Sequence, residues 1–224
     1  MALETSLTHS WTLNGNSNDN KGTANGSDTS MTYVTGRKNN QCGNFSGAGY
    51  VTIADTGFPS GTTAVSFSAW IKTSYTADYQ IFFSYGTNTS TNTVQGGLTD
   101  AGVLYASQQG QSVTDGDINN GNWHHVVITR NASSNYTVYT DGVSSNSGVM
   151  TTNTTLSTCR IGSDTANAFK WNGTVQDVAF WAKEVSSAEV TSLWNSGNGM
   201  YFDGSVFQNY AGEATIDDDY AYLM

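Results

Sequence analysis

Paired carboxylates are the first residues to consider, because two of them at about 5 Å or about 6.5–9.5 Å can hydrolyse a glycosidic bond. None of the four glutamates lies in a predicted core strand. Asp115 and Asp117 are the nearest approach to an acid pair, but the sequence Thr114–Asp117 favours a solvated turn. The sequence therefore predicts no catalytic residues and no enzyme. A glycosidase with an unfamiliar acid pair is an alternative that ranks below the two functions given at the end of this section.

Histidine could serve as the base of a nucleophilic triad, and two histidines are adjacent in this chain. His124 and His125 fall in a predicted strand, where successive side chains point to opposite faces. They cannot build one site together. We expect one to pack inside with a hydrogen bond and the other to face outward, and neither to be catalytic.

A loop near the start of the chain is rich in the hard oxygen donors that calcium prefers. It reads Asn16, Ser17, Asn18 and Asp19. The loop predicts a structural calcium ion near Asp19, and the alternative is that Asp19 only forms an Asx-turn.

The composition limits the classes of partner. The net charge is −10 and charged residues make up only 12% of the chain. Nucleic acid binding needs clustered lysine and arginine, so nucleic acid and anionic membranes are excluded as expected partners. No apolar stretch approaches the ~20 residues of a membrane span, and the first residues lack the features of a signal peptide. Cys42 and Cys159 could form one bridge or remain two free, half-buried thiols.

Short alternating segments must position these residues. In Val65–Lys72 the apolar side chains recur at every second position, and Trp123–Arg130 is a second strand of this kind. Tyr136–Thr140 ends at Asp141-Gly142, a strong hairpin signal. With 24 glycines, 12 tyrosines and a single proline, and with no intervening βα units, the sequence predicts an all-β sandwich or barrel.

One short helix is predicted near the C-terminal side. Ser186 and Glu189 have the spacing of a capping box, and Val190, Leu193 and Trp194 follow on one helical face. Such a helix would pack its apolar side on the sandwich.

Several motifs, in this order and spacing, resemble the laminin-G-like members of the concanavalin A-like lectin/glucanase superfamily. The resemblance covers roughly residues 7 to 198. It is carried by His9–Gly22, Asn44–Ile53 with Phe67–Lys72, Gly121–Arg130 with Tyr139–Gly142, and Gly173–Trp181. It implies an all-β jelly-roll sandwich of two antiparallel sheets, used for recognition of glycans or proteins. We expect residues 1–199 to form this domain.

The resemblance also implies site residues. Family members often hold a structural calcium ion with an early aspartate and a late acid, which correspond here to Asp19 and Asp177. Gln176 stands where the family usually has the first late acid, and a shift of one residue reverses the side-chain face. The glucanase pattern Glu-x-Asp-x-x-Glu is absent from the sequence.

Glycan binding on such folds uses exposed loop aromatics that stack on sugar rings, with polar side chains for the hydroxyl groups. One predicted loop carries Tyr75, Asp78 and Tyr79, and another carries Phe169 and Trp171 on either side of a lysine. These five residues are the candidate glycan-binding residues. The alternative for each aromatic is a single exposed ring without function.

Residues 200–224 form a separate segment that is both aromatic and acidic. Its six aromatic residues favour packing on its own domain or on a partner over a solvated linker. Two functions follow. The first is a carbohydrate-binding or adhesion domain. The second is a virion structural protein, a capsid decoration or fibre component that contacts capsid or tail proteins, or itself, through this segment. Either would act outside the cell or on a virion surface.

Overall fold

The structure is a computed structural model that describes residues 3–89, 91–108 and 111–210. Two antiparallel sheets stack into a sandwich, as the sequence predicts. The strands of the first sheet are β1 Leu7–Trp11, β3 Thr32–Thr35, β4 Gln41–Asn44, β6 Val65–Lys72, β11 Trp123–Arg130, β12 Asn135–Thr140, β13 Val143–Val149 and β15 Thr174–Trp181. They lie in the order β13-β12-β11-β6-β15-β4-β3, with β1 also paired to β15.

The second sheet has the strand order β10-β9-β8-β7-β14-β5-β2. Its strands are β2 Gly26–Thr29, β5 Tyr50–Ile53, β7 Gln80–Gly86, β8 Thr93–Leu98, β9 Val103–Gln108, β10 Gln111–Asp117 and β14 Cys159–Ile161. The remaining elements are helix α1 Ser187–Trp194, the 3-10 turns Arg37–Asn39 and Asn195–Gly197, and the hairpin of β16 Met200–Phe202 and β17 Phe207–Asn209. In the described part of the chain, no helix is long and apolar enough to cross a membrane.

The core lies between the two sheets and follows the predicted alternation. Val65, Phe67, Ala69 and Ile71 of β6 all point into it and are buried. Cys42 and Cys159 lie buried as free thiols, and burial raises the pKa of Cys42 to about 11. The two-thiol alternative therefore matches the structure, except that both thiols are fully buried and not half-buried.

The C-terminal part of the described chain covers the outer face of the first sheet. Helix α1 begins at the predicted capping box, in which the Ser186 hydroxyl and the Glu189 carboxylate each accept the other residue's backbone N–H. Val190 and Leu193 of α1 pack with Trp181 and with Phe202 of the hairpin in a second apolar cluster. Residues 200–210 therefore pack on their own domain, while residues 211–224 lie outside the described residues.

A bulge in β15 decides where one predicted site residue lies. The pairing of β15 with β6 shifts register between Gln176 and Ala179, and Asp177 has a φ of 53°. This left-handed conformation is uncommon for a residue other than glycine. Because a bulge re-aims side chains, Asp177 does not follow the alternation of its strand.

Candidate functional site

The outer face of the second sheet carries polar and aromatic side chains where the inner face carries the core. Leu104 and Ala106 of β9 are in the core, so Tyr105 between them points outward. The same alternation turns Tyr50 of β5 and Arg160 of β14 outward. The four strand spacings from β9 to β5 place Tyr105 and Tyr50 ~19 Å apart across the sheet.

Three aromatic rings lie together at this face, and we call Tyr79, Tyr105 and Phe169 the aromatic strip. The centroid of Tyr79 is 5.9 Å from that of Tyr105 and 6.5 Å from that of Phe169, with interplanar angles of 68° and 70°. Tyr79 is 46% and Phe169 49% exposed, whereas Tyr105 is buried beneath them. Two of the three rings therefore offer their surface to a ligand.

The backbone around the strip holds these rings in place. The N–H of Ile81, at the start of β7, donates to the carbonyl of Phe169 at 2.8 Å. Asp164 accepts the N–H of Ala168 at 2.6 Å and so shapes the turn that precedes Phe169. Phe169 itself has a φ of 43°, which costs conformational energy for an aromatic residue. The fold therefore maintains this ring in an exposed position against a local backbone preference.

A glycine makes room for Tyr105 under the strip. A Cβ on Gly97 would lie 2.2 Å from the carbonyl oxygen of Gln80 and 3.1 Å from the Tyr105 hydroxyl oxygen. The ring of Tyr105 can cross the neighbouring strand because Gly97 has no side chain. Beside it, the Gln95 amide donates to the Ser107 hydroxyl at 2.8 Å, and these neutral polar groups continue the face.

Two cations lie at the other end of this face, which we call the basic end. The guanidinium carbon of Arg160 is 4.9 Å and the ammonium of Lys170 is 4.3 Å from the centroid of the Tyr50 ring. Both contacts lie within the range of cation–π attraction. Since Lys170 directly follows Phe169, the basic end adjoins the aromatic strip.

The charges of two aspartates act on Tyr105, and one of them, Asp78, lies at the opposite end of the face. Burial raises the pKa of Tyr105 above its ordinary value, and the charges of Tyr79, Asp164 and Asp78 raise it further. Asp78 is exposed and accepts the N–H of Tyr79 at 2.7 Å. The face thus has two cations over Tyr50 at one end and the Asp78 carboxylate beside Tyr79 at the other, while Asp164 lies near both, since its carbonyl accepts Arg160.

The structure brings together three of the five residues that the sequence predicts for glycan binding. Tyr79 and Phe169 come together in the strip, and Asp78 lies beside them. Tyr75 is half-buried, its carbonyl accepts the Asn119 side chain, and its ring contacts no other described ring. Trp171 requires a correction: it is 0% exposed and packs edge-on against Phe82 in the core, 5.9 Å between centroids. Its backbone pairs with Gly162, which turns the ring inward.

Sequence reasoning missed Tyr50, Tyr105 and Arg160. Each lies one position from core residues in a short strand, so the alternation could have marked them as outward-facing. What the sequence did not show is which strands are neighbours, and that order brings Tyr105 to Tyr79 and Arg160 to Tyr50.

Asp19 is engaged by hydrogen-bond donors. Its carboxylate accepts His9 Nδ1 at 2.7 Å and the backbone N–H groups of Ser10, Lys21, Gly22 and Ala24 at 2.9–3.1 Å. Burial alone would raise the pKa of Asp19, but these bonds, led by His9, lower it to about 2. Both oxygens face N–H groups, which repel a cation.

Asp177 lies in a different environment, under the C-terminal segment. Its Oδ2 accepts the Tyr210 hydroxyl at 2.5 Å, and its Oδ1 has no partner among the described residues. Burial raises the pKa of Asp177 to about 7, against the lowering effect of the Tyr210 bond and the charge of Arg37. Arg37 in turn stacks on Trp70, 3.2 Å from its ring centroid.

Asp19 and Asp177 therefore do not fit a calcium ion as a pair. Among the described residues they share no partner, and the atoms that contact the Asp19 carboxylate are donors, whereas calcium needs six to eight oxygen ligands. Within the described ranges, no group of three or more His, Cys, Asp or Glu side chains is placed to hold a metal.

The groups considered for catalysis have other partners. His124 Nδ1 bonds Asp141 at 2.8 Å on the exposed side, and His125 is buried on the other side against Trp70. Burial lowers the pKa of His125 to about 3. Asp115 lies at the end of β10, where it accepts the Thr140 hydroxyl at 2.6 Å, so it is in a strand and not in the expected turn.

Comparison with known proteins agrees with this architecture. A laminin G family model of the concanavalin A-like lectin/glucanases superfamily matches residues 45–191. A search of curated protein sequences finds no match.

Several solved structures are similar in fold. Domain 4 of AbnA, a GH43 extracellular arabinanase from Geobacillus stearothermophilus solved with arabinotriose, is 17% identical with a TM-score of 0.66, over 83% of this chain and 97% of that one. A structure of botulinum neurotoxin type C, described as entering cells through two ganglioside molecules, is 19% identical with a TM-score of 0.64, over 86% and 51%. Trypanosoma rangeli sialidase is 15% identical with a TM-score of 0.67, over 86% and 33%. The chain thus spans about half of the toxin structure and a third of the sialidase.

Proposed function

The chain belongs to the concanavalin A-like lectin/glucanases superfamily, and we propose that it is a non-catalytic carbohydrate-binding domain whose ligand lies on the aromatic strip. The observation that carries this proposal is the pair of half-exposed rings, Tyr79 and Phe169, held 6.5 Å apart on a polar sheet face. A sugar ring presents C–H groups on one side and hydroxyl groups at its rim. The strip offers aromatic surface for the first and polar side chains for the second.

The polar groups beside the strip suit neutral hydroxyl ligands. Gln95 and Ser107 are hydrogen-bonded to each other, and Asp78 is exposed next to Tyr79. A ligand hydroxyl can donate to the Asp78 carboxylate, a charge-assisted bond that is stronger than a neutral one. The proteins of similar fold include an arabinanase domain bound to arabinotriose and a toxin that uses gangliosides, which supports a saccharide ligand for this chain.

The proposal is tested on an array of neutral and acidic oligosaccharides, followed by calorimetric titration with the oligosaccharide that gives the strongest signal. Tyr79→Ala and Phe169→Ala should each weaken binding about 10-fold, since an aromatic contact contributes ~0.5–1.5 kcal/mol beyond its buried area. Tyr201→Ala is the matched control. It removes a half-buried tyrosine of β16, on the hairpin that covers the first sheet.

The control residue also lies at a second possible binding site. Tyr201 lines a cleft of about 270 Å³ together with Asn20, Asn40 and Tyr210. If Tyr201→Ala abolished binding while the two strip variants bound normally, the strip would not be the site. If no oligosaccharide bound the folded protein, the function itself would be refuted.

A further inference from the structure

The basic end adjoining the aromatic strip concentrates positive charge on a strongly acidic protein. The chain has 8 lysine and arginine residues against 18 aspartate and glutamate residues. Two of the 8, Arg160 and Lys170, lie over the same tyrosine ring at the outer face of the second sheet.

Two other cations of the chain, by contrast, are occupied in the fold. Arg130 is buried, where it donates to Thr154 at 2.8 Å and to the carbonyl of Thr63 at 2.6 Å. Lys183 bonds Glu189 of the capping box at 2.6 Å. These contacts hold loops and the helix N-terminus in place, which is a structural use of charge.

Arg160 and Lys170 keep donors free for a ligand. The Lys170 ammonium uses one of its three hydrogens on the Asn167 side chain, at 2.5 Å. Among the described residues, Arg160 makes one long bond, 3.4 Å, from Nη1 to the carbonyl of Asp164; its Nε is buried, so its free donors are those of the terminal nitrogens. Both side chains are only partly exposed, so a ligand charge placed between them would be less screened than on open surface.

We propose that the ligand on the aromatic strip is an acidic saccharide, whose carboxylate or sulfate group is bound by Arg160 and Lys170 while its sugar rings stack on Phe169 and Tyr79. This inference rests on the carbohydrate-binding function proposed above. The exposed Asp78 at the far end of the strip disfavours an anionic group there and accepts hydroxyl groups. The charges therefore orient the saccharide with its acidic residue over Tyr50.

The test compares matched pairs of probes by calorimetric titration. One pair is a tetragalacturonate and its methyl ester, and the other is a sulfated galactan oligosaccharide and its desulfated form. The native protein should bind the acidic member of at least one pair about 10-fold more tightly, and rising salt should remove the preference. A preference within the galacturonate pair would identify the bound group as a carboxylate, and one within the galactan pair would identify it as a sulfate.

Lys170→Gln and Arg160→Gln should each reduce this preference about 5-fold, the effect of an ion pair near the upper end for partly exposed groups. Lys21→Gln is the matched control, because Lys21 also lies over an aromatic ring, 5.4 Å from the centroid of Phe202, but beside the first sheet. It should leave the preference unchanged. If Arg160→Gln lowered the melting temperature, Lys170→Gln alone would carry the test.

The two proposals fail in different ways. Equal binding of the acidic and neutral members of both pairs, or binding only of neutral oligosaccharides on the array, would overturn the acidic ligand and leave carbohydrate binding standing. A preference that survives both glutamine variants but is lost in Lys21→Gln would move the anionic subsite away from Tyr50. Failure to bind any saccharide would refute both.

Discussion

Replacement of Asp19 by asparagine tests whether this residue is a structural acceptor or a metal ligand. The native carboxylate accepts five N–H groups, including Nδ1 of His9 at 2.7 Å. Asparagine keeps one acceptor oxygen and presents an amide N–H₂ group in place of the other. If the amide nitrogen replaces Oδ2, His9 can accept from it by changing tautomer, but the buried N–H of Ala24 faces a donor. In the other orientation the N–H groups that bond Oδ1 face a donor.

The size of the effect follows from the pKa of Asp19. A pKa of about 2 instead of the ordinary 3.8 corresponds to ~2.5 kcal/mol of unfolding free energy from the charged form. Because the folded pKa is depressed, this contribution is fully present above pH 4 and is lost as the pH falls toward 2. At pH 7 the Asp19→Asn variant should therefore be at least this much less stable, which lowers the melting temperature by ~5–10 °C for a chain of this size.

Urea unfolding followed by tryptophan fluorescence at pH 7 and at pH 2.5 measures both parts of the prediction. The gap between the native protein and the variant should narrow at the lower pH. Asp203→Asn is the control, since Asp203 also accepts backbone N–H groups but in an exposed turn, and its effect should be much smaller. Equal stability of native protein and Asp19→Asn at pH 7, or stabilisation of the native protein alone by added calcium, would refute the reasoning.

Three further predictions concern stability and use the same assay. Trp171→Ala should cost ~3–5 kcal/mol because it opens a core cavity, whereas Phe169→Ala should stay within ~0.5 kcal/mol. Ser186→Ala removes the capping hydroxyl of α1 and should cost ~1 kcal/mol; an unchanged midpoint would contradict the capping box. Burial raises the folded pKa of Asp177 to about 7, so the native protein should become less stable as the pH rises from 4 to 7, and the Asp177→Asn variant should lose less stability over this range. An equal change in unfolding free energy for the native protein and the variant would contradict this assignment.

The fold was largely predictable because its signals are local. Every second residue from Val65 to Ile71 faces the core, Asp141-Gly142 adopts the positive φ values of a tight hairpin turn, and Ser186 caps α1 as its spacing with Glu189 indicates. Each signal depends on residues within a few positions of one another. The order in which the strands neighbour each other is not local, and neither the alternation nor the family resemblance predicted it.

The candidate site was predictable only in part, for the same reason. Tyr79 and Phe169 were identified as exposed loop aromatics, yet Trp171, two residues further, had the same sequence context and lies in the core. A loop sequence does not show which ring the neighbouring backbone bonds turn inward. The bulge at Asp177 could not be predicted from the sequence either, because it arises from the pairing of β15 with β6 and not from a turn signal within β15.

Mapping of backbone amide shifts by NMR, during titration with the oligosaccharide selected on the array, tests the central claim most directly. If the ligand lies on the outer face of the second sheet, the largest shifts should fall at Tyr79, Tyr105 and Phe169 and extend toward Tyr50. Shifts confined to the first sheet and its covering hairpin, with those four amides unmoved, would contradict the account.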